Sequence, residues 1–245
     1  MKPVFKRPKS LYDIPFHYCP GCHHSIVHRL IAEAIDALGI QERVIAVASI
    51  GCSVFLYDYF AVDVLEAPHG RAPAVGTGIK RARPESIVFT YQGDGDLAAI
   101  GLAETIHAAN RGEQLAVFFI NNTIYGMTGG QMAPTTLPGQ KTTTTPSGRQ
   151  VIGEGAPLKM AEMIAALRPS AFVARVAVNN PKSILQAKKA VQKAFQLQVE
   201  GKGYAFVEFL SACPANWKMT PCEANRHVSE ALILEFPLGV FKGDL

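Results

Sequence analysis

Two groups of residues have types and spacings that could do chemistry. The first is Gly93-Asp94-Gly95-Asp96, followed 28 positions after Asp94 by Asn122 in the run Asn121-Asn122-Thr123-Ile124-Tyr125-Gly126-Met127. Gly93 and Gly95 let the backbone approach a diphosphate. A carboxylate in the same turn would repel that diphosphate unless a cation stands between them. Asp94, the amide oxygen of Asn122 and a nearby backbone carbonyl are hard oxygen donors, suited to a Mg²⁺ that keeps phosphate ligands. The chemistry implied is that of a magnesium diphosphate. The second group is four cysteines: Cys19 and Cys22 in a C-x-x-C, Cys52, and Cys213 in Ser211-Ala212-Cys213-Pro214. Four thiolates suit zinc or an iron–sulfur cluster, and the spacing does not separate the two. The fifth cysteine, Cys222, reads as an ordinary thiol.

Other motifs fit the same residues less well. Gly93 to Ala98 (GDGDLA) also satisfies the dinucleotide pattern G-x-G-x-x-G/A, with Glu113 near the distance of a ribose-binding acid. That reading leaves Asp94 inside a phosphate turn without a task and the Asn pair unexplained. Cys19-Pro20-Gly21-Cys22-His23 is literally the C-x-x-C-H of covalent haem attachment. It would require export and would leave Cys52 and Cys213 idle.

The elements that must position these residues follow from hydrophobic period. Ile87 to Tyr91 reads as a buried strand that breaks at Gly93, and Leu115 to Ile120 as another that breaks at Asn121. Between them, Leu97, Ile100, Ala103 and Ile106 or His107 fall on one helical face, with Gly112 as the stop. A strand-helix-strand crossover of this kind is parallel and right-handed, so Asp94 and Asn122 emerge on one sheet edge. Strands at Arg43–Ser49, Val62–Leu65, Ala171–Val178 and Tyr204–Leu210 alternate with helices at Ile26–Leu38, Ala72–Arg83, Leu158–Leu167 and Pro181–Val199. If all are parallel, Cys52 and Cys213 join the same edge, and Cys19 and Cys22 need only fold over it. The fold class expected is α/β, a doubly wound, mostly parallel sheet with helices on both faces. Residues 123–156 are the longest irregular stretch, rich in Thr, Gly and Pro, and are expected to form a lid beside the site. Residues 237–245 are loosely patterned. The lysines of the helix at 181–199 (Lys182, Lys188, Lys189, Lys193) read as a solvated face.

Composition bounds the rest. At 245 residues and 48% hydrophobic, the chain can bury a substantial core, expected as a single domain over 1–245 with an N-terminal arm at 1–18 that could pack on a partner. The arm has no apolar run long enough for a signal peptide, and no stretch is long enough to span a bilayer. A cytoplasmic protein with reduced thiols is expected. The net charge of +4 is mild and points to neither nucleic acid nor a membrane as partner.

The combination of GDGD, Asn122 in NNTIYGMTGGQ and the four cysteines resembles the thiamine diphosphate-binding β subunit of 2-oxoacid:ferredoxin oxidoreductases, from Cys19 to about Trp217. The resemblance implies a diphosphate-type thiamine-binding fold and three cofactors: thiamine diphosphate, Mg²⁺ and a 4Fe-4S cluster. It implies Cys19, Cys22, Cys52 and Cys213 as cluster ligands, and Asp94, Asn122 and the carbonyl of Ile124 as Mg²⁺ ligands. Ile50, Gly51, Cys52 and Ser53 would line the thiamine, with Gly93, Gly95, Asp96, Gly126 and Met127 also at the cofactor. His69 and Arg71 of His69-Gly70-Arg71 would hold diphosphate or substrate carboxylate as catalytic residues. The family reaction is the coenzyme A-dependent oxidative decarboxylation of a 2-oxoacid to acyl-CoA and CO₂, with electrons passed to ferredoxin. The expected partner is an α subunit that brings the catalytic Glu and the other half of the thiamine site, and further ferredoxin-like subunits can accompany the pair. His23 stands where the family usually has Gly, close to the cluster. Two competing classes remain: a non-redox thiamine decarboxylase or synthase, which has no use for four cysteines, and a zinc-binding structural protein without thiamine. Branched-chain, aromatic and dicarboxylic 2-oxoacids are all open as substrates.

Overall fold

Runs of apolar, β-branched and aromatic residues that can be buried on both faces are the pattern of a parallel sheet, and here they pair as one. A computed structural model describes residues 6–245. Its elements are α1 (His24–Leu38), β1 (Val44–Ala48), α2 (Leu56–Tyr59), β2 (Asp63–Glu66), α3 (Ala72–Ala82), β3 (Ile87–Gly93) and α4 (Leu102–Asn110). Then come β4 (Ala116–Asn121), β5 (Ile124–Tyr125), β6 (Gln131–Met132), α5 (Val151–Glu154), α6 (Met160–Ala166), β7 (Ser170–Ala177) and α7 (Pro181–Val199). The chain finishes with β8 (Tyr204–Leu210), α8 (Pro214–Trp217), α9 (Pro221–His227), α10 (Ile233–Glu235) and β9 (Gly239–Lys242). Seven strands form one sheet in the order β2-β1-β3-β4-β8-β7-β9, while β5 and β6 make a separate antiparallel pair. Every pairing within the seven is parallel except β7 with β9.

The two-residue period of the strands sorts the core into two layers. Phe89, Tyr91, Phe118, Ile120, Val207 and Phe209 pack with α1 and α7 on one face. Val88, Val117, Phe119, Val173 and Phe206 pack with α3, α4 and α6 on the other. Helices therefore cover both faces, as expected. Among the described residues no helix is long and apolar enough to cross a membrane.

The structure corrects two expectations and adds detail to two more. The helical face read as Leu97, Ile100, Ala103 and Ile106 is broken: Leu97 is buried, but Ile100 is 43% exposed and Ala103 faces solvent. The cause is a wide turn in which Gly101 N–H donates to Asp96 O at 2.8 Å, five residues back rather than four. One extra residue rotates the following face, so α4 buries Thr105, Ala108 and Ala109 instead. The loosely patterned tail supplies β9, which pairs antiparallel with β7 through Ala174 and Val240. The N-terminal arm, from residue 6 where description begins, packs on its own chain: Ser10 is buried and its Oγ donates to Asp36 (2.5 Å), and Tyr12 N donates to Tyr59 O (2.9 Å). Finally, the expected lid at 123–156 is a packed wall. Arg149, 4% exposed, donates to the carbonyls of Pro134, Thr136, Glu154 and Ala156 and so closes the loop on itself.

One buried ionic group ties the sheet to the edge where Asp94 and Asn122 lie. Arg175 on β7 sits in register beside Glu208 on β8 and contacts it at 2.9 Å, with both side chains fully buried. The guanidinium also grips Glu162 and lies between the rings of Phe236 and Phe241. Glu208 in turn accepts from Asn121 Nδ2 at 2.7 Å. Burial favours a neutral Glu208, whereas Arg175 favours its charged form.

Candidate functional site

The carboxyl ends of β1, β3 and β4 meet at a cavity of about 110 Å³. Its lining includes Ile50, Gly51, Cys52, Ser53, His69, Gly93, Asp94, Gly95, Asp96, Asn122, Ile124, Gly126 and Met127. All the residues expected at the cofactor or at Mg²⁺ are thus on one wall. Arg71 is not: its guanidinium is spent on Glu104 outside the cavity lining. Glu113 of the dinucleotide reading pairs with Arg81 and Arg111 beyond α4, near the amino end of β4. That is the wrong end of the strand for a ligand bound at the carboxyl edge.

Asp94 is 2% exposed and sits at the first turn after β3. Its Oδ1 accepts from Gly95 N (2.9 Å), and its Oδ2 from Ile124 N (3.2 Å) and Thr135 Oγ1 (2.7 Å). These donors are all neutral. Burial outweighs them and pushes the carboxyl up to about 6. A buried carboxylate that has only neutral donors among the described residues, and one face on a cavity, is suited to a metal ion. The Asn122 Oδ1 accepts from the same Ile124 N at 3.3 Å, so both side-chain oxygens converge on one backbone amide. Gly95 is fixed by Tyr125, whose ring would stand 2.2 Å from a Cβ there.

Asp96 lines the cavity too, but its oxygens are fully engaged. Oδ1 accepts from His69 Nδ1 (2.5 Å), Gly70 N (2.6 Å) and Ser49 Oγ (2.9 Å), and Oδ2 from Gln92 Nε2 (2.5 Å). It holds His69, which also lines the cavity, by its Nδ1.

The four cysteines gather beside this wall. A Cβ on Gly126 would lie 3.1 Å from Cys52 Sγ and 3.8 Å from Cys213 Sγ, so this glycine packs directly against the two thiols. Burial pushes the thiols of Cys22 and Cys52 up to about 12, and Cys213 and Cys19 add to both shifts. Asp94 also acts on Cys52, which places the thiol group and the carboxylate in one electrostatic environment. The sulfurs are near enough to feel one another. Among the described residues, however, no three His, Cys, Asp or Glu side chains close on a point tight enough for a single metal ion. Cys222 is exposed and unpaired in any disulfide.

His23 turns out to be a brace. Ala212 N donates to its Nδ1 (3.2 Å), and its Nε2 meets Asn225 Oδ1 (3.1 Å), so the Cys19–Cys22 segment is pinned against Cys213's neighbour. Both ring nitrogens are occupied, which leaves none for a haem iron. Burial pushes the imidazole down to about 4, consistent with this neutral tautomer.

Three contributors carried no readable spacing in the sequence. His24 lines the cavity, with Nδ1 at 2.7 Å from Tyr91 OH and the Tyr18 ring stacked on it. Thr135 reaches Asp94 from 41 positions away through the packed loop. Tyr125 caps Gly95 and donates to its carbonyl at 3.0 Å. Their only signal is adjacency to named motifs, and Thr135 lacks even that.

The description "thiamine pyrophosphate enzyme, C-terminal TPP binding domain" matches residues 49–209, the span that holds Cys52, Asp94 and Asn122. Fold and site thus define a thiamine diphosphate-binding domain. Within that class, the chain belongs to the family of β subunits of 2-oxoacid:ferredoxin oxidoreductases. It is 51% identical over 251 aligned positions to the ketoisovalerate oxidoreductase subunit VorA of Methanothermobacter thermautotrophicus, covering 98% of this chain and 53% of that protein. It is 44% identical to the 2-oxoglutarate synthase subunit KorB of Methanocaldococcus jannaschii, covering 82% of this chain and 70% of that protein. The chain spans about half the length of the VorA relatives it matches. A solved 2-oxoglutarate:ferredoxin oxidoreductase from Magnetococcus marinus, with 2-oxoglutarate, coenzyme A and succinyl-CoA bound, superposes with a TM-score of 0.80 at 25% identity. The match covers 99% of this chain and 86% of that one.

Proposed function

We propose that this chain is the thiamine diphosphate and iron–sulfur subunit of a 2-oxoacid oxidoreductase. With its partner it would convert a 2-oxoacid and coenzyme A to acyl-CoA and CO₂, passing two electrons to ferredoxin. One observation carries the reading: Cys52 and Asp94 line the same cavity, so a diphosphate-type carboxylate and a cysteine group share one wall. Asp94, Asn122 and the Ile124 carbonyl would hold Mg²⁺ against the diphosphate. Cys19, Cys22, Cys52 and Cys213 would hold a 4Fe-4S cluster. When bound, thiamine supplies the electron sink for decarboxylation, and the cluster accepts electrons singly. A non-redox thiamine enzyme would have no use for the cysteine group.

The experiment is anaerobic purification followed by iron analysis and single substitutions. The protein should be brown, with absorbance that bleaches on dithionite. Cys→Ala at 19, 22, 52 or 213 should lose that colour, and Cys222→Ala should keep it. A colourless protein with one tightly held zinc would overturn the redox reading.

The substrate class rests on the wall and on the relatives. Ile50 and Met127 offer hydrocarbon to a substrate side chain. The VorA relatives, named for ketoisovalerate, are also more identical than the KorB relatives. A branched-chain 2-oxoacid is therefore the proposed substrate. In the assembled complex, kcat/KM for 2-ketoisovalerate should exceed that for 2-oxoglutarate at least about 10-fold, the scale of one favourable side-chain contact. The reverse order would transfer side-chain selection to the partner.

A further inference from the structure

Asn216 lies on α8, the single helical turn that follows Cys213. Its Nδ2 donates to two acceptors: the carbonyl of Gly126 at 2.8 Å and the sulfur of Cys213 at 3.3 Å. Gly126 is part of the cavity wall and lies against Cys52 as well. One amide therefore joins the cofactor wall to a thiol of the cysteine group. The position is also rigid. The Oδ1 of Asn216 stands 3.2 Å from where a Gly130 side chain would begin, and the indole N–H of the next residue, Trp217, donates to Asn122 O at 3.1 Å.

The geometry points to Asn216 as a positioning residue that raises the reduction potential of the cluster and fixes it against the cofactor wall. This rests on the cluster reading given above. An N–H dipole aimed at a ligand sulfur stabilises negative charge there. The reduced cluster carries one electron more than the oxidised one, so the bond favours reduction. The Gly126 carbonyl shares the same amide and keeps it from rotating away. Because an asparagine amide does not ionise, its effect on the potential persists across the working pH range.

The test is an EPR-monitored redox titration of the assembled complex. Asn216→Leu removes the donor at similar volume and should lower the midpoint potential with iron content unchanged. Asn216→Asp replaces the donor with a negative charge and should lower it further. An Asn216→Leu complex with full iron and the unaltered midpoint would overturn the assignment. Should that variant fail to load iron, the unmodified complex decides. Its reduced cluster should show a nitrogen coupling in pulsed EPR that changes on ¹⁵N-asparagine labelling, and absence of any asparagine coupling would equally overturn it. An unmodified complex without an iron–sulfur signal would instead defeat the cluster reading itself, a distinguishable result.

Discussion

Asp94→Ala and Asp94→Asn should both abolish retention of thiamine diphosphate, with affinity falling at least about 100-fold, since even outer partners of a metal site are typically worth 10–100-fold. Either change removes the one formal negative charge facing the proposed Mg²⁺ and leaves the diphosphate's repulsion unscreened. Asp94→Asn is the sharper variant. With its single acceptor oxygen kept toward Ile124 N and Thr135 Oγ1, the amide gives up only the bond from Gly95 N, so the fold should persist. Burial holds the Asp94 carboxyl up at about 6 in the empty site, roughly two pH units above its ordinary value. Such a raised acid favours the folded state only when protonated. That contribution is lost as pH rises from about 4 to about 6, leaving a buried charge that costs about 3 kcal/mol at neutral pH. The neutral Asn should therefore raise the melting temperature of the empty protein at pH 7 while destroying cofactor binding. Asn122→Ala removes only a neutral ligand and should weaken binding less. Calorimetry with thiamine diphosphate and Mg²⁺ checks all three; normal affinity in Asp94→Asn would refute the metal assignment.

The isolated chain should show no 2-oxoacid-dependent viologen reduction, even with the proposed cluster intact, and should bind thiamine diphosphate weakly. Its cavity is about 110 Å³, well below the roughly 300–1,000 Å³ of a complete small-molecule site. It is expected to be one wall of a larger site. Thiamine chemistry also needs a carboxylic acid at the aminopyrimidine ring to assist proton removal, and among the described residues no Glu lines this cavity. The two carboxylates present are committed elsewhere, Asp94 to the metal position and Asp96 to His69, Gly70, Ser49 and Gln92. The missing acid is expected on the partner subunit, and adding that subunit should restore both tight binding and turnover. Activity from a demonstrably partner-free chain would place the acid here after all.

How much of this was legible beforehand depended on range. Parallel strands, their helices and the Asp94–Asn122 edge follow from local period and from the crossover rule, which acts over neighbouring elements. The wide turn at Asp96–Gly101 was not legible, because its extra residue changes no residue type and shows only as a rotated face. Thr135 reaches the site from a loop and Asn216 from a single helical turn, and neither has a period long enough to show side-chain direction. Arg175 and Glu208 did leave a trace, a charge within each of two otherwise apolar strands, whose meaning depends on strand order. His23 reads in the sequence as a neighbour of a cluster and Asp96 as a cofactor contact, whereas their hydrogen bonds make one a brace and the other an orienting group.

The Arg175–Glu208 pair has a consequence for anyone redesigning this protein. Buried ion pairs can often be exchanged for hydrocarbon without loss, and a core engineer would reach for this one first. Here the exchange would leave Asn121 Nδ2 without its acceptor, one residue from a proposed magnesium ligand. Thermostability and cofactor grip are thus wired to the same atoms, and a more heat-resistant core obtained at this position would be expected to hold its magnesium diphosphate more loosely.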